Sequence, residues 1–175
     1  IPQAFLRAAD RVRAVVTGGL PGFALANFDV ASLCGVTGVP PMSEFVDDLV
    51  IFAAVMPIDG VGKVLGNAGP CLIRNASQGR FTLVGVMRFD VADFQSLLND
   101  GRIDDVILHE MLHVLGFGTL WEFKGLGINP GTPSTAFVGV GAIHGCIASG
   151  GGSVCSNSVP LESSGGHTGE TILLI

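Results

Sequence analysis

The sequence contains no tyrosine, a single tryptophan and no apolar run long enough to cross a membrane. Its longest apolar run, residues 49–57, is about half of the roughly 20 residues that a transmembrane helix requires. Charged residues make up only 14% of the 175 residues and apolar residues make up 48%, which excludes a disordered chain solvated by its charges. We therefore expect a folded protein of one domain, with no transmembrane segment.

Positive charge is also scarce. The sequence has 9 Lys and Arg residues against 15 Asp and Glu residues, which gives a net charge of −6, and it has no basic cluster. This balance has the wrong sign for binding a phosphate backbone, so nucleic acid is not an expected partner. The composition does not indicate an oligomeric state.

The four cysteines include no C-x-x-C pair, which argues against a thiolate zinc site and a thioredoxin-type redox motif. Disulfides are the simpler interpretation, although four cysteines allow three pairings. We predict Cys34–Cys71, which would tie a loop to a sheet, and Cys146–Cys155, which would close a short glycine-rich loop. The glycosylation acceptor pattern Asn75-Ala76-Ser77 and the even number of cysteines favour a secreted or cell-surface protein. Because the sequence opens with neither Met nor a signal segment, we expect a processed chain or a fragment.

Hydrophobic periodicity predicts an α+β fold with a mixed sheet. The predicted elements are a helix over 4–16, strands over 49–55, 71–74 and 81–89, a short helix over 91–98 and a longer helix over 103–116. Loops are predicted over 18–41 and 60–70, and no strong helix or strand is predicted after Trp121. We expect residues 1–118 to form a subdomain around the sheet and the longer helix, and residues 119–175 to form a loop-rich C-terminal lobe of the same domain.

The predicted helix over 103–116 carries the motif H-E-x-x-H at His109, Glu110 and His113. At 100° per residue, these three side chains fall within about a 100° arc of the helix. Two imidazoles one turn apart can bind the same metal ion, and Glu110 can act as a general base toward a water molecule that the metal activates. Zinc suits such imidazole ligands best. The opposite side carries the expected core residues Ile103, Ile107, Leu108, Met111, Val114 and Leu115.

A purely structural interpretation of the motif stays open. Two histidines at the edge of a core can simply hydrogen-bond, and Glu110 can be a solvated helix residue. By composition, H-E-x-x-H arises by chance in roughly two sequences per thousand, so the metal site is favoured. The sequence contains no motif typical of a cysteine protease or of a phosphate-binding glycine loop.

Gly116 extends the motif to H-E-x-x-H-x-x-G, in which the glycine lets the chain leave the helix sharply. In the short metzincin pattern a third histidine follows three residues later, but that position is Thr119. A third ligand must therefore come from farther along the chain, where His144 and His167 are the remaining histidines.

Residues 109–121, HEMLHVLGFGTLW, resemble the active-site helix of leishmanolysin-type metalloproteases. The resemblance extends to DDLVIFAAVMPIDG, LGNAGPCLIR and LVGVMRFDVADF upstream and to VPLESSGG downstream, and so covers most of residues 4–170. It implies a zincin fold of the metzincin type and a zinc ion. In that family the third histidine is often followed three residues later by Glu, as His167 is by Glu170, so the resemblance implies His167 as the third ligand.

The resemblance implies a zinc-dependent endopeptidase that acts on peptide or protein substrates. His109, His113 and His167 would hold the metal, and Glu110 would act first as base and then as proton donor to the leaving amine. An extended peptide would bind by strand addition to a sheet edge, in a cleft with walls around residues 118–121.

Two alternative functions share this scaffold. The first is a non-catalytic secreted adhesion or binding module. The absence of any Met after Met111 supports it, because the family carries a Met-turn after its third histidine, whereas the presence of Glu110 argues against it, because a structural zinc site needs no base. The second is a metal hydrolase with a non-peptide substrate. The missing Met-turn, together with a missing first strand, also implies a domain truncated at both ends.

Overall fold

The computed structural model describes residues 2–161, which divide into two compact units between Gly116 and Phe117. The combination of helices with a sheet that the sequence predicts is confirmed. The elements of the first unit are α1 (Pro2–Arg13), β1 (Phe23–Ala24), α2 (Val30–Cys34), β2 (Phe45–Val46), β3 (Val50–Met56), β4 (Gly66–Ile73), a 3-10 turn (Ala76–Gln78), β5 (Thr82–Asp90), α3 (Val91–Asn99) and α4 (Ile103–Leu115).

The first unit is built around a mixed sheet with the strand order β3-β5-β4. β3 runs parallel to β5 along its whole length, whereas β4 runs antiparallel to β5. β3 and β5 are each shifted by one residue from the strands predicted over 49–55 and 81–89. The apolar pattern therefore located both strands, but only β5 is buried, whereas β3 is an edge strand that is half-buried with Ala53 and Val55 exposed.

β4 begins earlier than the sequence predicts. It spans Gly66–Ile73, so the loop predicted over 60–70 is wrong in its second half. The residues GNAGP at its start have low β propensity, and they become a strand because they pair with β5 from the Gly66–Phe89 pair onward. Proline at position 70 is compatible with this strand because β4 lies at an edge of the sheet.

β5 is buried on both faces and separates two hydrophobic clusters. Side chains alternate along the strand, so that Met87 and Phe89 lie on one face and Val84 and Val86 lie on the other. The first face packs against buried residues of α1, α3 and α4, namely Ala4, Ala8, Phe94, Leu97, Ile103, Ile107, Met111 and Val114. The second face packs against α2 and the segments around it, through Leu25, Phe28, Val30, Cys34, Val36 and Val46.

Helix α2 lies in a region that the sequence predicts as a loop. It has five residues, which is too short for hydrophobic periodicity to reveal it. The side chain of Asp29 caps its first turn by accepting a hydrogen bond from the N–H of Ser32. Helix α1 is also displaced, since it spans Pro2–Arg13 where the prediction covers 4–16.

The second unit, described up to residue 161, contains regular structure that the sequence does not reveal. Its elements are β6 (Gly127–Ile128), β7 (Ala136–Phe137), α5 (Val140–Cys146), a π-helical turn (Ile147–Gly151), a 3-10 turn (Gly152–Cys155) and β8 (Val159–Pro160). The three strands form one antiparallel sheet in sequence order. The sequence therefore predicts the loop-rich character of this unit but misses its short elements, because they leave no periodic pattern among the glycines.

Both predicted disulfides are confirmed. Cys34–Cys71 joins α2 to β4 in the first unit, and Cys146–Cys155 joins the end of α5 to the following 3-10 turn in the second. Each disulfide therefore ties a short element to a neighbour within its own unit. Among residues 2–161, no helix combines the length and the apolar character needed to cross a membrane.

The buried carboxylate of Asp90 connects β5 with α3 and with the loop before β4. It accepts hydrogen bonds from the backbone N–H groups of Ala92, Asp59 and Gly60, at 2.8–2.9 Å. The N–H of Asp90 itself donates to the carbonyl oxygen of Leu65. The N–H donors, that of Ala92 foremost, favour the ionised carboxylate and lower the pKa of Asp90 to about 2.

Asp90 should make the stability of the protein depend on pH in acid. Its folded-state pKa of about 2 lies below the value of about 3.9 expected in the unfolded chain, so its contribution is complete above about pH 4 and is lost as the pH falls through 2. In urea unfolding measured between about pH 5 and about pH 2, we expect Asp90→Asn to be less stable than wild type at the upper end and to lose less stability toward the lower end.

The matched control is Asp105→Asn, which changes an exposed carboxylate in the same unit. It should follow the wild-type pH dependence. If Asp90→Asn also follows it, the hydrogen-bonded carboxylate is not the source of the acid sensitivity.

Candidate metal centre

Helix α4 carries the H-E-x-x-H motif and ends at the glycine that the sequence predicts as its stop. Gly116 has a φ of 108°, in the left-handed region that favours glycine. Its N–H donates to the carbonyl oxygens of Leu112 and His113, which would otherwise have no partner inside the helix. The sharp exit of the chain after the motif is confirmed.

The two imidazoles of the motif converge. The Nε2 atoms of His109 and His113 lie 3.0 Å apart, and the planes of the two rings are perpendicular. Two nitrogens that each bind a tetrahedral zinc ion at about 2.0–2.1 Å lie roughly 3.3 Å from each other, so the pair fits a shared metal ion. The same separation also fits an N–H···N hydrogen bond between the rings, which is the structural interpretation that the sequence left open.

Glu110 is buried, with 4% of its surface exposed, so the interpretation of this residue as a solvated helix position is wrong. Its carboxylate lies beside β4, since a Cβ atom built on Gly66 would stand 3.2 Å from Glu110 Oε1. His113 is buried to the same extent, whereas Leu108 and Leu115 are only half-buried. The predicted division of α4 into one chemical and one core face therefore needs correction: part of the chemical face packs against the edge strand of the sheet.

Two contacts with β5 hold the last turns of α4 against the sheet. The hydroxyl of Thr82 donates a 2.6 Å hydrogen bond to the carbonyl oxygen of Val114. Gly85 lies opposite the side chain of Val114, with which an added Cβ would collide. Because Val114 follows Glu110 by one helical turn, these contacts also determine how far Glu110 stands from the sheet.

The first turn of α4 is tied to α1. The guanidinium of Arg7 donates two hydrogen bonds to the carboxylate of Asp104, at 2.5 and 2.7 Å. The hydrogen bond from Arg7 lowers the pKa of Asp104, which keeps this carboxylate ionised at the positive end of the helix dipole. The helix that carries the motif is therefore held at both ends.

The predicted third ligand is not brought to the two histidines within the described residues. His167 lies outside them, and within residues 2–161 no three His, Cys, Asp or Glu residues form a group that could hold a metal ion. The alternative ligand, His144, is exposed on the short helix α5 of the second unit. The assignment of His167 over His144 stays a prediction.

The cleft wall expected around residues 118–121 stays a prediction. Leu120 and Trp121 are buried, and the Trp121 ring packs on Phe137 of β7 with the ring centroids 4.4 Å apart. The sheet edge that lies next to Glu110 is β4. In the described part of the chain, no strand pairs with the outer side of β4.

Three residues that hold the motif helix were missed by the sequence analysis, namely Gly66, Thr82 and Gly85. A signal existed for Gly85, because an isolated glycine within an apolar strand often marks a close approach of another element. Gly66 gave no such signal, since it lies in a segment that resembles a loop. Thr82 resembles any other β-branched strand residue, and only the fold shows that it caps a helix.

A family model described as leishmanolysin matches residues 18–133. These are 116 of the 175 residues (133 − 18 + 1), about two thirds of the chain. They include the mixed sheet β3-β5-β4, α4 and the whole H-E-x-x-H-x-x-G motif. A search of curated proteins finds no match to the sequence.

The hydrogen bond from Thr82 should stabilise the end of the motif helix measurably. Thr82→Val keeps the shape of the side chain but leaves the buried carbonyl oxygen of Val114 without this donor, which costs about 1–3 kcal/mol. We expect a decrease of that size in the free energy of unfolding in urea. Thr82→Ser, which keeps the hydroxyl and loses only a methyl group, is the matched control. Equal stability of Thr82→Val and wild type would show that the bond contributes nothing.

Proposed function

The chain belongs to the leishmanolysin family of metallopeptidases, and on this premise we propose that it is a zinc-dependent endopeptidase. The family is zinc-dependent in general, and its members are surface or secreted proteins. The observation that carries the proposal is the convergence of the His109 and His113 Nε2 atoms at 3.0 Å beside a buried Glu110.

The donor set is the one expected for zinc. We propose that His109 and His113 supply two imidazole nitrogens and that His167 supplies the third, as the family resemblance implies. A bound zinc ion would supply Lewis-acid activation of the peptide carbonyl and of a water molecule. Three neutral nitrogens leave a zinc site open for such chemistry, whereas a structural site is closed by a fourth protein ligand.

The proposed role of Glu110 is proton transfer. One of its carboxylate oxygens accepts the proton of the attacking water and then returns it to the nitrogen of the leaving amine. Burial suits this role, because a carboxylate packed between α4 and β4 keeps one position while the substrate reacts. A solvated glutamate would have to be ordered at each turnover.

The edge strand β4 supports the choice of a peptide as substrate. An edge strand offers a row of backbone N–H and C=O groups to which an extended peptide can add as a further strand. β4 begins at Gly66, next to the carboxylate of Glu110, so a peptide bound along this edge would pass the proposed base. Recognition through the backbone also implies little selectivity for side chains.

We further propose that residues 1–175 belong to a single catalytic domain and that the protein is secreted or located at the cell surface. The two disulfides are consistent with an oxidising environment. A non-catalytic binding module is the second candidate, because the 3.0 Å separation of the imidazoles also fits a hydrogen bond. A hydrolase with a non-peptide substrate would use the same residues.

Zinc content tests the proposed metal site first. Purified protein should contain close to one zinc ion per chain, and the double variant His109→Ala/His113→Ala should lose it, because both helix ligands are removed. Elemental analysis after dialysis measures this directly, with circular dichroism to check that the variant is folded. His144→Ala is the matched control and should keep its zinc. Unchanged zinc in the double variant would remove these histidines from the site.

Loss of the base should separate catalysis from metal binding. Glu110→Gln keeps the size of the side chain but cannot accept the proton, so cleavage of an unstructured protein should fall by roughly 10²- to 10⁴-fold while the zinc content stays the same. Activity equal to that of wild type would exclude Glu110 as the base. If zinc-loaded wild type cleaves nothing, the binding module becomes the better assignment.

A further inference from the structure

We propose that Gly66 is a positioning residue for Glu110, and that the absence of a side chain at this position sets where the base carboxylate stands. The inference rests on the proposed function for its catalytic consequence, but the contact itself does not depend on catalysis. It concerns the start of β4, a position that the sequence analysis treats as a loop.

The space at Gly66 is limited on several sides. A Cβ atom there would stand 3.2 Å from Glu110 Oε1, 3.3 Å from the ring of Phe89 and 2.9 Å from the carbonyl oxygen of Arg88. Glycine is needed here for its small size, since Gly66 is not among the glycines with positive φ. Any side chain at this position would compete with the carboxylate for the same volume.

Strand β4 cannot easily move away from the carboxylate. Gly66 pairs with Phe89 in the β4–β5 ladder, and the preceding residue Leu65 accepts a hydrogen bond from the N–H of Asp90. Asp90 in turn holds the loop at Asp59 and Gly60 through its side chain. The strand end beside Glu110 is therefore anchored to β5 on both sides of Gly66.

Helix α4 cannot easily move away either. Its end is bonded to Thr82 and packed on Gly85, and its first turn is held by the ion pair between Arg7 and Asp104. With strand and helix both fixed, an added methyl group would press on the carbonyl oxygen of Arg88 and on Glu110 Oε1, and of these two the side-chain carboxylate can move more easily than the backbone of β5. A displacement of a few tenths of an ångström to one ångström is enough to lower the rate of a reaction that depends on the position of a base.

Gly85 provides a matched control on the same helix. It lies on β5 opposite Val114, one helical turn from Glu110, and an added Cβ there would meet the valine side chain and not the carboxylate. Alanine at either glycine should disturb the packing of α4. Only Gly66→Ala, and not Gly85→Ala, is expected to have an effect on stability that depends on the presence of Glu110.

The first experiment measures this coupling without using activity. Gly66→Ala and Gly85→Ala are each made in wild type and in a Glu110→Ala background, and the midpoint of thermal unfolding is compared. Gly66→Ala should lower the midpoint less in the Glu110→Ala background, because the atom that the methyl group meets is gone. Gly85→Ala should lower it equally in both backgrounds.

Folding failure is also informative in this design. If Gly66→Ala unfolds the wild-type chain but not the Glu110→Ala chain, the proposal is supported. If it unfolds both, or lowers both midpoints equally, the clash with the backbone at Arg88 dominates and the proposal is overturned.

The second experiment tests the catalytic consequence. In the zinc-loaded enzyme, Gly66→Ala should lower kcat by about 10- to 100-fold with KM and zinc content nearly unchanged, and it should have no further effect on the residual activity of Glu110→Ala. A crystal structure of Gly66→Ala should show the Glu110 carboxylate displaced while the backbone of α4 stays in place. A carboxylate in its original position would overturn the proposal. A protein in which Glu110→Ala is fully active would instead overturn the proposed function and leave the structural contact to be judged by the unfolding experiment.

Discussion

The close approach of α4 to the sheet is the constraint on which the rest of the first unit depends. Gly85 has no side chain opposite Val114, and Thr82 completes the contact by bonding the last turn of the helix. One turn earlier, the same approach brings Glu110 against Gly66 of β4. The packing of Val114 and the position of Glu110 therefore both depend on the distance between α4 and the sheet.

Backbone hydrogen bonds to a buried acid extend this constraint to the neighbouring loop. Asp90 ends β5, precedes α3 and binds backbone N–H groups of the loop before β4, and its pKa of about 2 keeps it ionised over the ordinary pH range. Its N–H also holds Leu65, the residue before Gly66. Asp90 therefore helps to anchor β4, the strand that contacts Glu110.

Local patterns predicted the motif helix and the strands β3 and β5 because their determinants lie within a few residues. His109 and His113 are one turn apart, and Gly116 ends the helix by its own backbone conformation. The start of β4 could not be predicted, because small residues such as Gly66 become a strand only through pairing with β5. The third ligand is a long-range property, and the prediction of His167 rests on family resemblance and not on spacing.

Folding and the proposed chemistry place opposite demands on position 110. Burying a carboxylate costs free energy because water solvates it better than a protein interior does, and an apolar residue at this position would pack without that cost. The contacts around it are of the kind that offset such a cost: a helix end bonded to Thr82, a valine packed on Gly85 and an edge strand tied to α2 by Cys34–Cys71. The proposed role of Glu110 in proton transfer would account for a buried carboxylate at a position where an apolar residue would pack at lower cost.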